Sequence, residues 1–429
     1  MKRTSLWKRG IGLLLVSALL AAAAAALAGC GTDIIPSGTA QLGNLTEGLT
    51  PNKVTVNVDM DEQSVLITDF ALRLLRASRH EGESTLVSPL SVLYALAMTA
   101  NGAEGETKGQ IESALGLRIE ELNEYLYGYN VMLPQGWNSK IGIANSIWLN
   151  EAKQTSVKTD FLQANVDYLR ADVYRVPFDD KTCADINGWV KEATDGLMPN
   201  MLDEVSSEAI VYLINALVFE SPWFEPYKPE QVEPGVFTTE DDVKRKASFM
   251  YSTEEEYFSD GVTVGFAKTF DRDYAFVALL PDEHLRMDEF LDSLTGESLQ
   301  DLLATSRRVK VNASLPKFST ESGTNLIEAL SDMGISRLFD PAQAELGGIG
   351  PGGLYIDRVL HETYLTVDEY GCRAGASTSV SAILGVGPDG EPKTVYLDRP
   401  FVYMIVDAKY RVPLFIGTMM DPTVTPDTD

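Results

Sequence analysis

The stretch GCRAGASTSVSAILGVGPDGEP, residues 371–392, decides how the rest of the chain is read. Its residues are small and nearly uncharged, and it is too long for an ordinary loop in a compact domain. On both sides lie segments rich in β-branched and aromatic residues, at 354–367, 395–406 and 411–418. Further upstream the same strand pattern marks 142–149, 210–219, 274–280 and 309–318. Helical spacing appears at Val65, Phe70, Leu72 and Leu75 within 64–79. A second helix starts at Ser88-Pro89, serine capping and proline in the first turn, and stops at Asn101-Gly102. Helical periods return at 185–194, 288–303 and 324–334. Helices dominate the first third and strands the last, so the expected class is α+β with large sheets, without internal repeats.

The chain has 429 residues, 45% of them hydrophobic and 9% aromatic, which predicts one large domain or two tightly packed ones. Its 62 acidic residues against 35 basic give a net charge of −27, which argues against nucleic acid and anionic lipid as partners. The three histidines, His80, His284 and His361, have no ligand-like spacing, so neither metal nor cofactor is expected. Gly348, Gly350 and Gly353 spell G-x-G-x-x-G, but Pro351 interrupts them and a strand follows, which reads as a loop and not a dinucleotide site. No nucleophile elbow supports a Ser-His-Asp hydrolase, and no enzymatic activity is expected.

Residues 1–29 are of another kind. Lys2, Arg3, Lys8 and Arg9 precede an apolar run from Ile11 to Ala28, the pattern of a signal peptide, with an uncleaved membrane anchor as the alternative. The ending Leu27-Ala28-Gly29-Cys30 resembles a bacterial lipobox, which implies a lipidated Cys30 at the mature N-terminus and a chain held at the outer face of a membrane, or secreted. The mature chain would carry 31 basic and 62 acidic residues, a net of −31. Cys183 and Cys372 then remain as two thiols, too few for a disulfide framework. Residues 30–61, rich in Gly, Thr, Asn and Pro, read as a flexible tether; the domain is placed at 62–422 and a tail at 423–429.

Across that domain the sequence resembles the serpin family. The likeness is carried by separated motifs in family order: Ser88-Pro89-Leu90-Ser91, Gly102-Ala103-Glu104-Gly105-Glu106-Thr107, Leu213-Ile214-Asn215-Ala216 with Trp223, and Leu315-Pro316-Lys317-Phe318. Met333-Gly334-Ile335, His361, Val367-Asp368-Glu369, Arg399-Pro400-Phe401 and Phe415-Ile416-Gly417 complete the series. The resemblance implies three β-sheets, eight or nine helices and an exposed reactive loop before the last strands. It places Ser88, Ser91, Asn215 and His361 under the opening point of the main sheet, and Trp223 with a Glu369–Lys317 salt bridge at its top. Buried polar residues satisfying one another would look the same in a member that inhibits nothing.

It also implies that the loop, once cut, becomes an extra strand, a mode of strand addition for which serpin loops are a standard example. The hinge would run through Glu369, Gly371, Cys372, Arg373, Ala374, Gly375, Ala376, Ser377 and Thr378. Strand alternation from Cys372 turns Cys372, Ala374, Ala376, Thr378, Val380 and Ala382 inward, all small or β-branched. Family spacing from Gly371 gives Gly385 as acyl donor and Val386 across the bond, with Leu384 one residue away and chemically more attractive. Apolar residues there imply elastase-like or subtilisin-like serine proteases as targets of a monomeric inhibitor, with cysteine proteases a second class. A non-inhibitory serpin and, from another class, a solute-binding lipoprotein of a transporter are the alternatives.

Overall fold

Local chemistry opens the helix at Ser88-Pro89 where the sequence reading puts it. The Ser88 hydroxyl accepts the Ser91 N–H at 3.4 Å, and Pro89 opens the helix Pro89–Ala100, every residue of which is buried. Asp59 caps Met60–Ala77, whose Ile67, Phe70, Ala71, Leu74 and Leu75 make one fully buried stripe at helical spacing. The structure is a computed structural model that describes residues 43–133, 139–154, 156–194, 196, 198, 201–270, 273–372 and 390–424.

In chain order the elements are α1 (Met60–Ala77), β1 (Thr85–Val87), α2 (Pro89–Ala100), α3 (Gly105–Leu115), α4 (Ile119–Met132), β2 (Lys140–Asn150), α5 (Thr159–Leu169) and β3 (Asp172–Val176). Then come α6 (Asp180–Ala193), β4 (Val211–Pro222), β5 (Val232–Thr238), β6 (Lys244–Ser259), β7 (Thr263–Thr269), β8 (Tyr274–Pro281), α7 (Met287–Ser293) and α8 (Gly296–Ala304). The last are β9 (Arg307–Pro316), β10 (Phe318–Asn325), α9 (Ile327–Asp332), β11 (Arg358–Val367), β12 (Gly371–Cys372), β13 (Lys393–Tyr396), β14 (Phe401–Asp407) and β15 (Pro413–Met419). Nine α-helices among the described residues agree with the expected α+β class.

The strands form a nine-stranded sheet, β1-β15-β14-β8-β7-β6-β9-β13 with β5 beside β6, and a six-stranded one, β10-β11-β12-β4-β2-β3. The three expected sheets are thus hydrogen-bonded into two, because β6 runs through two of them. A register shift between Glu254 and Glu256 bends it on the way. Helix α2 contacts β4 of one sheet and β15 of the other, so it lies between them. That position explains why it is apolar all round. Residues of β14 and β15 are buried throughout, as strands covered on both faces must be.

Helices α1 and α6 begin at Met60 and Asp180, ahead of the expected 64 and 185, and α9 covers only Ile327–Asp332 of 324–334; four further differences change how an element is read. The period at 288–303 is two helices, because Thr295 starts α8 by accepting the Ser298 N–H at 3.1 Å. The strand pattern at 395–406 is broken between β13 and β14, across Arg399-Pro400. Residues 354–357 precede β11 and are not strand. The expected tether of 30–61 is packed against the fold from Gly43 onward. Asn44 bridges Tyr174, Leu45 N–H donates to Val173 O at 2.7 Å, and Leu45 and Leu49 pack on the core. The free edge of β3 is the physical reason: its unpaired backbone groups take the passing chain as a partner.

Candidate functional site

Strands β4 and β11 are neighbours in the six-stranded sheet and run parallel, but their register is short. Arg358 pairs with Tyr212 and Val359 with Leu213 at the base. Above that, no register pair joins them among the described residues, and a small cleft opens between Leu217, Val218 and Phe219 on one side and Tyr364, Leu365 and Thr366 on the other. At the top the gap is filled by two residues. Cys372 pairs with Val367 of β11 and with Ser221 of β4, while Gly371 pairs with Pro222. Each exposed ladder edge carries backbone donors and acceptors that a further strand would satisfy.

The residues expected beneath the opening are brought together. His361 Nε2 accepts the Ser88 N–H at 3.0 Å, Ser91 Oγ donates to Asn215 Oδ1, and all four residues are buried. Burial pushes the His361 imidazole down to about 4, so the ring is neutral and Nε2 is the acceptor. Sequence reasoning missed Asn145, whose Oδ1 accepts from Asn215 Nδ2 and whose own Nδ2 reaches Leu169 O at 3.1 Å. Its one signal is a polar pair, Asn145-Ser146, inside the otherwise apolar run 141–149 of that strand. Thr363, also missed, ties β11 to the other sheet through Leu86 O at 3.1 Å.

At the top, Lys317 is ion-paired with Glu369. Burial alone would raise the Glu369 carboxyl, but the Lys317 hydrogen bond and charge outweigh it and hold the group below its ordinary range. Trp223 donates its N–H to Tyr370 O at 2.9 Å and its indole N–H to Asp368 O at 2.7 Å. Asp368 closes the turn by accepting the N–H groups of Tyr370 and Gly371 on Oδ1, at 2.8 and 3.2 Å. Gly371 itself sits at φ +154°, and a Cβ there would lie 2.2 Å from Ser221 O. Only glycine fits this close approach between the turn and β4.

Both thiols, Cys183 and Cys372, are free and buried. Burial raises the Cys372 thiol well above its ordinary range. Among the described residues no three His, Cys, Asp or Glu side chains are grouped to hold a metal ion, and no helix is long and apolar enough to cross a membrane. Of the remaining expected site residues, Arg373, Ala374, Gly375, Ala376, Ser377, Thr378, Leu384, Gly385, Val386 and Cys30 lie outside the described residues.

A family model described as serpin (serine protease inhibitor) matches residues 66–422. Alpha-1-antiproteinase 2 of Equus caballus is 27% identical over 374 residues, covering 83% of this chain and 86% of its own. Among solved structures, the thermophilic serpin tengpin in its native state is similar at TM-score 0.82 and 40% identity, over 88% of this chain and 99% of that one. Tengpin in its latent state gives 0.75 at the same identity, over 86% and 100%.

Proposed function

The chain belongs to the serpin family of protease inhibitors and is not an enzyme, and from that premise we propose that it is an irreversible suicide-substrate inhibitor of serine endopeptidases. The observation that supports this reading is the unfilled register between β4 and β11, with Cys372 already seated at its upper end. A target protease attacks the loop at Gly385, or at Leu384 beside it, and its serine becomes acylated. The freed loop then extends β12 downward between β4 and β11. The protease is carried away and its oxyanion hole is distorted before water can hydrolyse the ester. The inhibitor contributes no nucleophile to this sequence.

Ordering each inserted residue costs about 1–2 kcal/mol of backbone entropy, while a new ladder hydrogen bond returns about 0.5–1.5 kcal/mol. Seating of the inward side chains and relief of the open sheet therefore decide the outcome. The small inward residue Ala374 is the sensitive one. Ala374→Arg is expected to convert the inhibitor into a cleaved substrate, read on a denaturing gel with an elastase-like or subtilisin-like protease as probe. A covalent complex that persists in this variant would refute the insertion account. We further place the protein outside the cell, anchored through a lipidated Cys30 or released.

A further inference from the structure

The turn that follows β11 rests on an ion pair for which the proposed mechanism has no use so far. Lys268 of β7 and Glu254 of β6 meet at 3.0 Å with side chains only 5% and 13% exposed. The Lys268 ammonium also stands 4.4 Å from the ring centre of Tyr227 and 5.4 Å from that of Trp223. Phe270 stacks on Trp223 at 4.4 Å with 5° between the planes, and Ser252 donates to the Tyr227 hydroxyl at 3.4 Å. Both rings are thus fixed by a cation beneath them and neighbours beside them.

The same two residues hold the turn. Trp223 takes the carbonyls of Tyr370 and Asp368, and the Tyr227 N–H takes that of Glu369 at 3.0 Å. Three successive carbonyls at the start of the hinge are bound by one short segment, and that segment sits on Lys268. Stability alone is a poor reason for such a pair, because apolar residues of the same volume are often as good or better, whereas a directional contact fixes geometry.

We propose that Lys268, held by Glu254, is a positioning residue for the pivot of loop insertion. It keeps the planes of Trp223 and Tyr227 set, so that the Asp368–Gly371 turn stays attached to β4 while the chain beyond Cys372 moves into the gap. This rests on the insertion reading above. A loosened pivot slows insertion relative to hydrolysis of the acyl-enzyme, and leaves untouched the first encounter with the protease.

The test compares wild type, Lys268→Met/Glu254→Gln, Lys268→Arg and Tyr227→Leu with one elastase-like protease. The paired substitution avoids a buried lone carboxylate, and Tyr227→Leu keeps the ion pair and the backbone donor if the first variant fails to fold. Circular dichroism gives the folded fraction, by which the stoichiometry of inhibition is corrected. The corrected stoichiometry is expected to rise about threefold or more in the double variant and in Tyr227→Leu, with the association rate constant unchanged and Lys268→Arg near wild type. An unchanged corrected stoichiometry in the folded variants, alongside a wild type that forms covalent complex, overturns the role of Lys268. A wild type that forms no complex overturns the insertion reading, and this inference with it.

Discussion

His361 shows how one side chain makes the sheet opening sensitive to acid. An exposed imidazole titrates near 6.5, whereas burial holds this one at about 4, neutral and accepting from Ser88. A base whose folded value is depressed contributes fully above its unfolded value. As pH falls from about 6.5 toward about 4 the unfolded chain takes up a proton that the folded chain refuses, and stability drops by up to about 1.4 kcal/mol per pH unit. Below about 4 both states are protonated and the loss stops growing. Melting curves of wild type and His361→Asn are expected to converge as pH is lowered from about 7 to about 5; curves that stay parallel would rule this out. Ser88, Ser91, Asn215 and His361 were legible because they stand in motifs. Asn145, Glu254 and Lys268 were not, since a polar residue within a strand reads the same whether it meets solvent or a buried partner, and Tyr227 lies between strands, where no period marks it.

At the scale of elements, the segment before α1 behaves as a clamp on β3 and on the neighbouring helices α5 and α4. Arg175 N–H donates to Gly43 O at 2.9 Å, Thr46 is buried with its hydroxyl 2.7 Å from Asn44 Oδ1, and Asn52 reaches Asp167 twice, at 2.7 and 2.9 Å. Asn57 N–H adds Glu124 at 2.8 Å. Replacing Leu45 and Leu49 together by Asp removes the apolar contacts and places charge against the core. The expected cost is about 2–4 kcal/mol, seen as a lowered thermal midpoint with self-association through the bared edge in size-exclusion chromatography. A midpoint within about 1 °C of wild type would mean that the clamp carries no stability. Composition hid this clamp, because two leucines in a Gly-, Thr- and Asn-rich run have no period to read. Their partner strand also lies more than a hundred residues downstream. The break inside 288–303 was hidden differently: a cap such as Thr295 is an ordinary helix residue until its hydrogen bond is seen.

For the whole molecule, on the insertion reading, the gap above the short register between β4 and β11 leaves the sheet one strand short. Nicking near residues 382–386 is expected to raise the thermal midpoint by more than about 10 °C as the loop fills it, measured by circular dichroism on intact and cleaved samples. An unchanged midpoint would show that the gap accepts nothing. The α+β class and the order of motifs were readable along the chain. The fusion of three sheets into two was not, because it depends on one long strand, β6, bending between partners far apart in sequence. The largest sheet also joins its first strand to its last ones: β14 lies between β8 and β15, and among the described residues β1 pairs with β15 alone. A ribosome making this protein therefore delivers β1 long before its partner β15. Residues 85–87 must wait for 416–418 before they find their place, so this edge of the sheet cannot close until a partner more than three hundred residues downstream has been made.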